Sequence, residues 1–138
     1  MNTKKLLGKI HKNAQAGLYT IPKMIKACDS AAMRSELKKQ QREYKNIYCA
    51  SEHLDGYGKL DSLSRFAKLR TSAMITVSKH LASPSKQAEM MIMGSTAGMI
   101  DMSKCLNKSE KASRNAVILA QDLLKTEENN ITSLKRFL

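Results

Sequence analysis

The stretch AVILAQDLLKTEENNITSL, residues 116–134, decides the fold. Placed at about 100° per residue, Ala116, Ala120, Leu123, Leu124, Ile131 and Leu134 fall on one side, and Leu138 continues the line. This is the apolar stripe of an amphipathic helix, with no Gly or Pro to interrupt it. One residue breaks the pattern: Glu127 lies at the angular centre of the stripe. A carboxylate removed from water without a partner is costly, so Glu127 must be paired, hydrogen-bonded or protonated. The stripe therefore predicts both a buried helix face, from about Ser109 to the C-terminus, and a polar contact within it.

The segments upstream have the same period. Ser83-Pro84 fits a helix start, with Ser83 as cap and Pro84 in the first position. That helix runs to about Leu106, with Ala88, Met91, Ile92, Ser95, Met99, Met102 and Leu106 on a core face. Met90, Met93, Ala97 and Ile100 gather on a second face. Either it is a central helix buried on most sides, or the second face is a self-association patch and the chain a homodimer through this helix. Gly94 and Gly98, four apart, would let a neighbouring backbone approach.

Residues 59–82 are expected to form a third helix, with Leu63, Phe66, Ala67, Ala73, Met74, Val77 and Leu81 inward and Arg70 in the middle of the stripe. Residues 31–53 form a second, with Met33, Leu37, Tyr44, Ile47 and Tyr48 sharing a face; Asp55-Gly56-Tyr57-Gly58 ends it. Gln40 sits beside Leu37 and Tyr44. A polar layer follows: Glu127 against Arg70, aided by Gln40 or Tyr44. The plainer alternative is that both charges reach solvent at a bundle end.

The first helix, about Lys4 to Cys28, places Leu7, Ile10, Ala14, Leu18, Ile21, Ile25 and Cys28 on one side. Lys5, Lys9, Lys12, Lys23 and Lys26 lie opposite. Pro22 should kink it or divide it. Five helical segments joined by short turns predict an all-α, single-domain antiparallel four-helix bundle with one additional connecting helix, the third.

Composition agrees. The chain has 138 residues, 42% of them hydrophobic, with 4% aromatic, no Trp and nine Met, so the core is aliphatic and deformable. Cys28, Cys49 and Cys105 are odd in number and widely spaced, which suits reduced thiols rather than a disulfide framework or zinc site. The N-terminus has no apolar run of signal-peptide length, and Met90 to Ile100 is too short to span a bilayer, so a cytoplasmic protein is expected. The net charge of +12 is uneven, with six Lys and no acid in residues 1–28. That field favours acidic partners or nucleic acid without identifying one.

Two segments carry a resemblance: Met93-Gly94-Ser95-Thr96-Ala97-Gly98-Met99-Ile100-Asp101-Met102, and Leu123-Leu124-Lys125-Thr126-Glu127-Glu128-Asn129-Asn130-Ile131 continuing to Leu134 and Phe137-Leu138. They resemble the ferritin-like helical bundles, in particular small bacterial members with a degenerate di-metal site. In that superfamily two helices each give one Glu, and two more each give Glu-x-x-His, to hold two metals. This chain departs from the pattern. It has no Glu-x-x-His or Asp-x-x-His, and the matching spacing on the last helix reads Glu127-x-x-Asn130. The first helix offers Asn13, Ala14 and Gln15, and the second Gln40, Gln41 and Tyr44. One acid among amides does not offset the charge of iron. The resemblance implies a fold and argues against ferroxidase, oxygenase or peroxidase chemistry.

His11, His53 and His80 are isolated in sequence, and Gly56-x-Gly58 is a bare turn rather than a phosphate loop. The lysine stripe of the first helix lacks interleaved aromatics and a helix-turn-helix signature. The expectation is a non-enzymatic ferritin-like bundle without cofactor, acting as a structural or protein-interaction protein. An electrostatic binder of nucleic acid or acidic surfaces is the alternative, and a metal-binding or oxidative-stress protein with an unorthodox site is a further one.

Overall fold

Four long helices account for nearly all of the residues that the computed structural model describes, which are 1–54 and 83–138. They are α1 (Thr3–Ala27), α2 (Ala31–His53), α3 (Pro84–Leu106) and α4 (Arg114–Leu134), followed by a 3₁₀ turn at Lys135–Phe137. Residues 55–82 lie outside the described part, and with them the expected third helix, its Arg70 and the Asp55–Gly58 turn. Among the described residues there is no strand, only an isolated bridge between Asn2 and Lys111.

Each of these four helices begins on a side-chain cap. Asn2 accepts from the Lys5 amide, Ser30 from Met33, Ser83 from Lys86 with Pro84 next, and Ser113 from Ala116. Each cap satisfies one of the unpaired amides of a first turn, typically worth about 1 kcal/mol. The cap at Ser113 corrects the expected start of the last helix near Ser109. Ser109 instead closes the preceding helix, its hydroxyl donating to the Cys105 carbonyl at 2.5 Å.

Pro22 does not divide α1, which is continuous through it. The proline faces solvent, while Ile21 and Met24 beside it are fully buried and hold the helix down. Leu138, expected inward, is exposed. The helical stripe ends at Leu134, and the 3₁₀ turn carries the last residues off it.

The α1–α2 pair and the α3–α4 pair each pack extensively, and the two pairs lie against each other. Leu6, Leu7, Ile10, Ile21, Met24, Met33, Leu37, Met102, Leu123 and Leu134 are fully buried between them. The start of α1 is tied to the α3–α4 connection. The Met1 ammonium donates to the Lys108 carbonyl, and the Ser113 amide donates to Thr3 Oγ1 at 2.7 Å. Along α2 and α4, Glu36 meets Arg136, Lys39 meets Ser133 and Tyr44 meets Glu127, so residue numbers rise on one helix as they fall on the other.

At Gly17 the ring of Tyr44 from α2 packs directly on the backbone of α1. A Cβ built there would stand 2.7 Å from Cδ2 of Tyr44 and 2.9 Å from its Cγ and Cε2, whereas one at Gly8 would meet nothing within 4 Å. Gly17→Ala should destabilise the fold by about 1 kcal/mol or more, because displacing a packed ring outweighs the helix propensity gained. Gly8→Ala should stabilise it by roughly 0.5–1 kcal/mol. Urea unfolding of both variants checks this, and changes of the same sign would contradict the packing at Gly17.

Candidate functional site

The inward face of α2 is polar for two turns. Glu36, Gln40 and Tyr44 recur every fourth residue on one side of the helix, and all three are buried. Opposite them α4 presents Glu127 and Asn130, also buried, and the chain end presents Arg136. The Tyr44 hydroxyl donates to Glu127 Oε2 at 2.6 Å. This is a short, charge-assisted bond joining α2 to α4 in the middle of the bundle.

The other two helices close around that pair. A Cβ at Gly98 of α3 would lie 2.8 Å from Glu127 Oε1 and 2.9 Å from Asn13 Nδ2. The space at Gly98 is thus filled by side chains from α4 and α1, where a neighbouring backbone was expected; at Gly94 nothing lies within 4 Å. The Asn13 amide donates to the Gly98 carbonyl at 3.4 Å. Ser95 of α3 and Asn130 of α4 also face Tyr44, and Ser95 faces Glu127, short of an ordinary hydrogen bond.

Burial dominates the electrostatics. It lifts the Glu127 carboxyl from the ordinary range to about 7, against the opposing pull of the Tyr44 bond and then of Ser95, while the distant charge of Glu43 adds to the rise. Burial, then the Glu127 charge, hold the Tyr44 phenol well above its usual range, so it stays a neutral donor. Two turns toward the end of the bundle, Glu36 accepts from Gln40 Nε2 at 2.9 Å and pairs with Lys39 at 3.1 Å and Arg136 at 3.3 Å.

The remaining residues singled out in the sequence separate into distinct places. Arg70 is among the residues not described, and the contact of Glu127 within the described part is Tyr44. Lys5, Lys9, Lys12 and Lys26 are exposed on α1, whereas Lys23 folds over Tyr19, its Nζ 2.9 Å from the hydroxyl and 4.1 Å from the ring centroid. On α3, Met93, Ala97 and Ile100 are exposed, but Met90 is half-buried and packs on the core, which corrects its place on the outer face. His11 is buried, stacked on Tyr48 at 4.2 Å between centroids, with Nδ1 3.1 Å from Ser51 Oγ. Burial lowers its affinity for a proton, partly offset by Glu52. Cys28 and Cys105 are buried thiols and Cys49 is exposed.

The donor set does not fit the di-metal centre that the resemblance brings with it. Around Glu127 stand a phenol, a hydroxyl and amides, and a single carboxylate does not balance two divalent ions. Among the described residues there is no group of three or more His, Cys, Asp or Glu able to hold a metal ion. Comparison of the chain with protein-family models, curated proteins and solved structures returns no match. Asn13 and Ser95, read in the sequence only as an amide on the first helix and a core-face residue, belong to the site, and Glu36 is the site residue that the sequence did not single out. Glu36 was legible, standing one turn before Gln40 on the same face.

The raised Glu127 pKa fixes the sign of a pH effect. Its folded value, about 7, exceeds the ordinary carboxyl value of 4.5, so between these limits the folded chain binds more protons than the unfolded one. Stability contributed by this group is present in full below about 4.5 and is lost as pH rises through 7, an effect of about 3 kcal/mol. Urea midpoints in dilute buffer should fall between pH 5 and 8, and Glu127→Gln should flatten the profile. An unchanged profile in that variant would contradict the assignment.

Proposed function

We propose that the chain is a non-enzymatic helical bundle, ferritin-like and antiparallel in arrangement, that acts by protein association through the outer face of α3. The occupant of that face is a second copy of the chain. The opposed numbering of the α2–α4 contacts supports the antiparallel arrangement, and a polar interior with one acid supports a structural rather than catalytic centre. The observation that carries the association is the exposure of Met93, at 60%, and Ile100, at 53%, with exposed Ala97 between them. Such side chains at helical spacing favour burial against a partner.

The register of this face is self-complementary. Two α3 helices crossing in opposite directions about the Thr96–Ala97 midpoint set Met93 of one copy against Ile100 of the other. The same register sets Glu89 against Lys104, and the two-fold axis repeats both contacts. Thr96 and Ala97 at the centre are small enough for close approach. Glu89 already pairs with Lys86 at 3.3 Å on the surface, so the apolar contacts supply most of the affinity and the charges set direction.

Light scattering should give twice the monomer mass for the native chain and the monomer mass for Met93→Lys. Glu89→Lys should weaken the dimer, and adding Lys104→Glu should restore it. Identical masses for the native chain and Met93→Lys would remove the interface.

A second reading rests on the exposed Lys4, Lys5, Lys9 and Lys12 at the start of α1, which suit a polyanion. In a shift assay at low ionic strength it requires retention of DNA or RNA that is lost on adding salt. No retention dismisses it.

A further inference from the structure

At the level of the Tyr44–Glu127 bond and one turn below it, three helices bring together buried polar atoms that make no hydrogen bond of ordinary length. Gln40 of α2, Ser95 of α3 and Asn130 of α4 are 0%, 3% and 0% exposed. Gln40 spends its amide on Glu36, leaving Oε1 unpaired. The Ser95 hydroxyl and both amide atoms of Asn130 are also unpaired. Buried polar atoms left in that condition cost free energy, and three residues in one layer would consume much of a small domain's stability unless they share an occupant.

The chemistry of the layer selects the occupant. Its free oxygens are the Gln40 and Asn130 carbonyls and the Ser95 hydroxyl, while the Asn130 Nδ2 donor is turned toward the Tyr44 oxygen. Beside them is the Glu127 carboxylate, of which Tyr44 engages only Oε2. One negative charge with several neutral oxygens matches one monovalent cation, since oxygen dipoles can replace a hydration shell while a single carboxylate is too little for a divalent ion. We propose that Gln40, Ser95, Asn130 and Glu127 form a site for one potassium or sodium ion between α2, α3 and α4. The ion neutralises the buried acid and satisfies the orphaned oxygens together, and it is independent of the α3 surface.

Thermal unfolding of the full chain at pH 8, where Glu127 is ionised, tests this in potassium, sodium and choline chloride at matched ionic strength. Tm should be higher by about 3 °C or more in potassium or sodium than in choline, and the rise should saturate with cation concentration. The salt that gives it identifies the ion. Glu127→Gln and Asn130→Leu should each abolish the difference. Ser95→Ala, which only removes a hydroxyl, should weaken it and serves if either of the others fails to fold. Equal Tm values in all three salts would overturn the site in favour of water or a closed side-chain contact. A difference retained in the variants would overturn it as well, by placing the cation elsewhere.

Discussion

The bond from the Tyr44 hydroxyl to the buried Glu127 carboxylate, 2.6 Å long, is the constraint on which the interior depends. An acid at the centre of an apolar stripe is tolerable only where something meets it. Tyr44 meets it from α2, and to do so its ring must lie flat against α1, which is why position 17 is glycine. The carboxylate and the Asn13 amide fill the space at position 98, which is why that position is glycine too. Two glycines on two helices, far apart in sequence, thus answer to one side-chain pair.

The pair also orders the polar ladder around it. Tyr44, Gln40 and Glu36 descend α2 in steps of four, and Glu127, Asn130 and Arg136 follow on the facing chain. The ladder goes from an enclosed, singly charged centre to a partly solvated ion-pair group at the end. Apolar residues would pack as densely with less desolvation cost, so the polar ladder serves register: a slip of α4 past α2 would leave Glu127 without its donor.

Much of this is legible in the amino-acid sequence alone. Stripe periodicity located four of the helices to within a few residues, and the Ser83-Pro84 start was read correctly from its chemistry. Glu127 declared itself because a charge at the centre of an apolar face has few physical solutions. The sequence places Tyr44 in the same polar layer but only beside Arg70, because a phenol on an inward face reads equally as core; Arg70 itself lies outside the described residues. Of the two outcomes expected at Pro22, a kink or a division, the division does not occur: the helix runs on, with Ile21 and Met24 buried beside the proline. Asn13, Ser95 and the glycine contacts depend on which helices are neighbours, and that pairing is not encoded in the period of any one segment.

The central claim, that α2 and α4 are coupled through this hydroxyl and carboxylate, is tested most directly by a double-mutant cycle. Tyr44→Phe, Glu127→Gln and the combined variant would be compared with the native chain by urea unfolding. A coupling energy of roughly 1–3 kcal/mol is predicted, because each single change strands a buried partner. Effects that add to within about 0.5 kcal/mol would contradict the account.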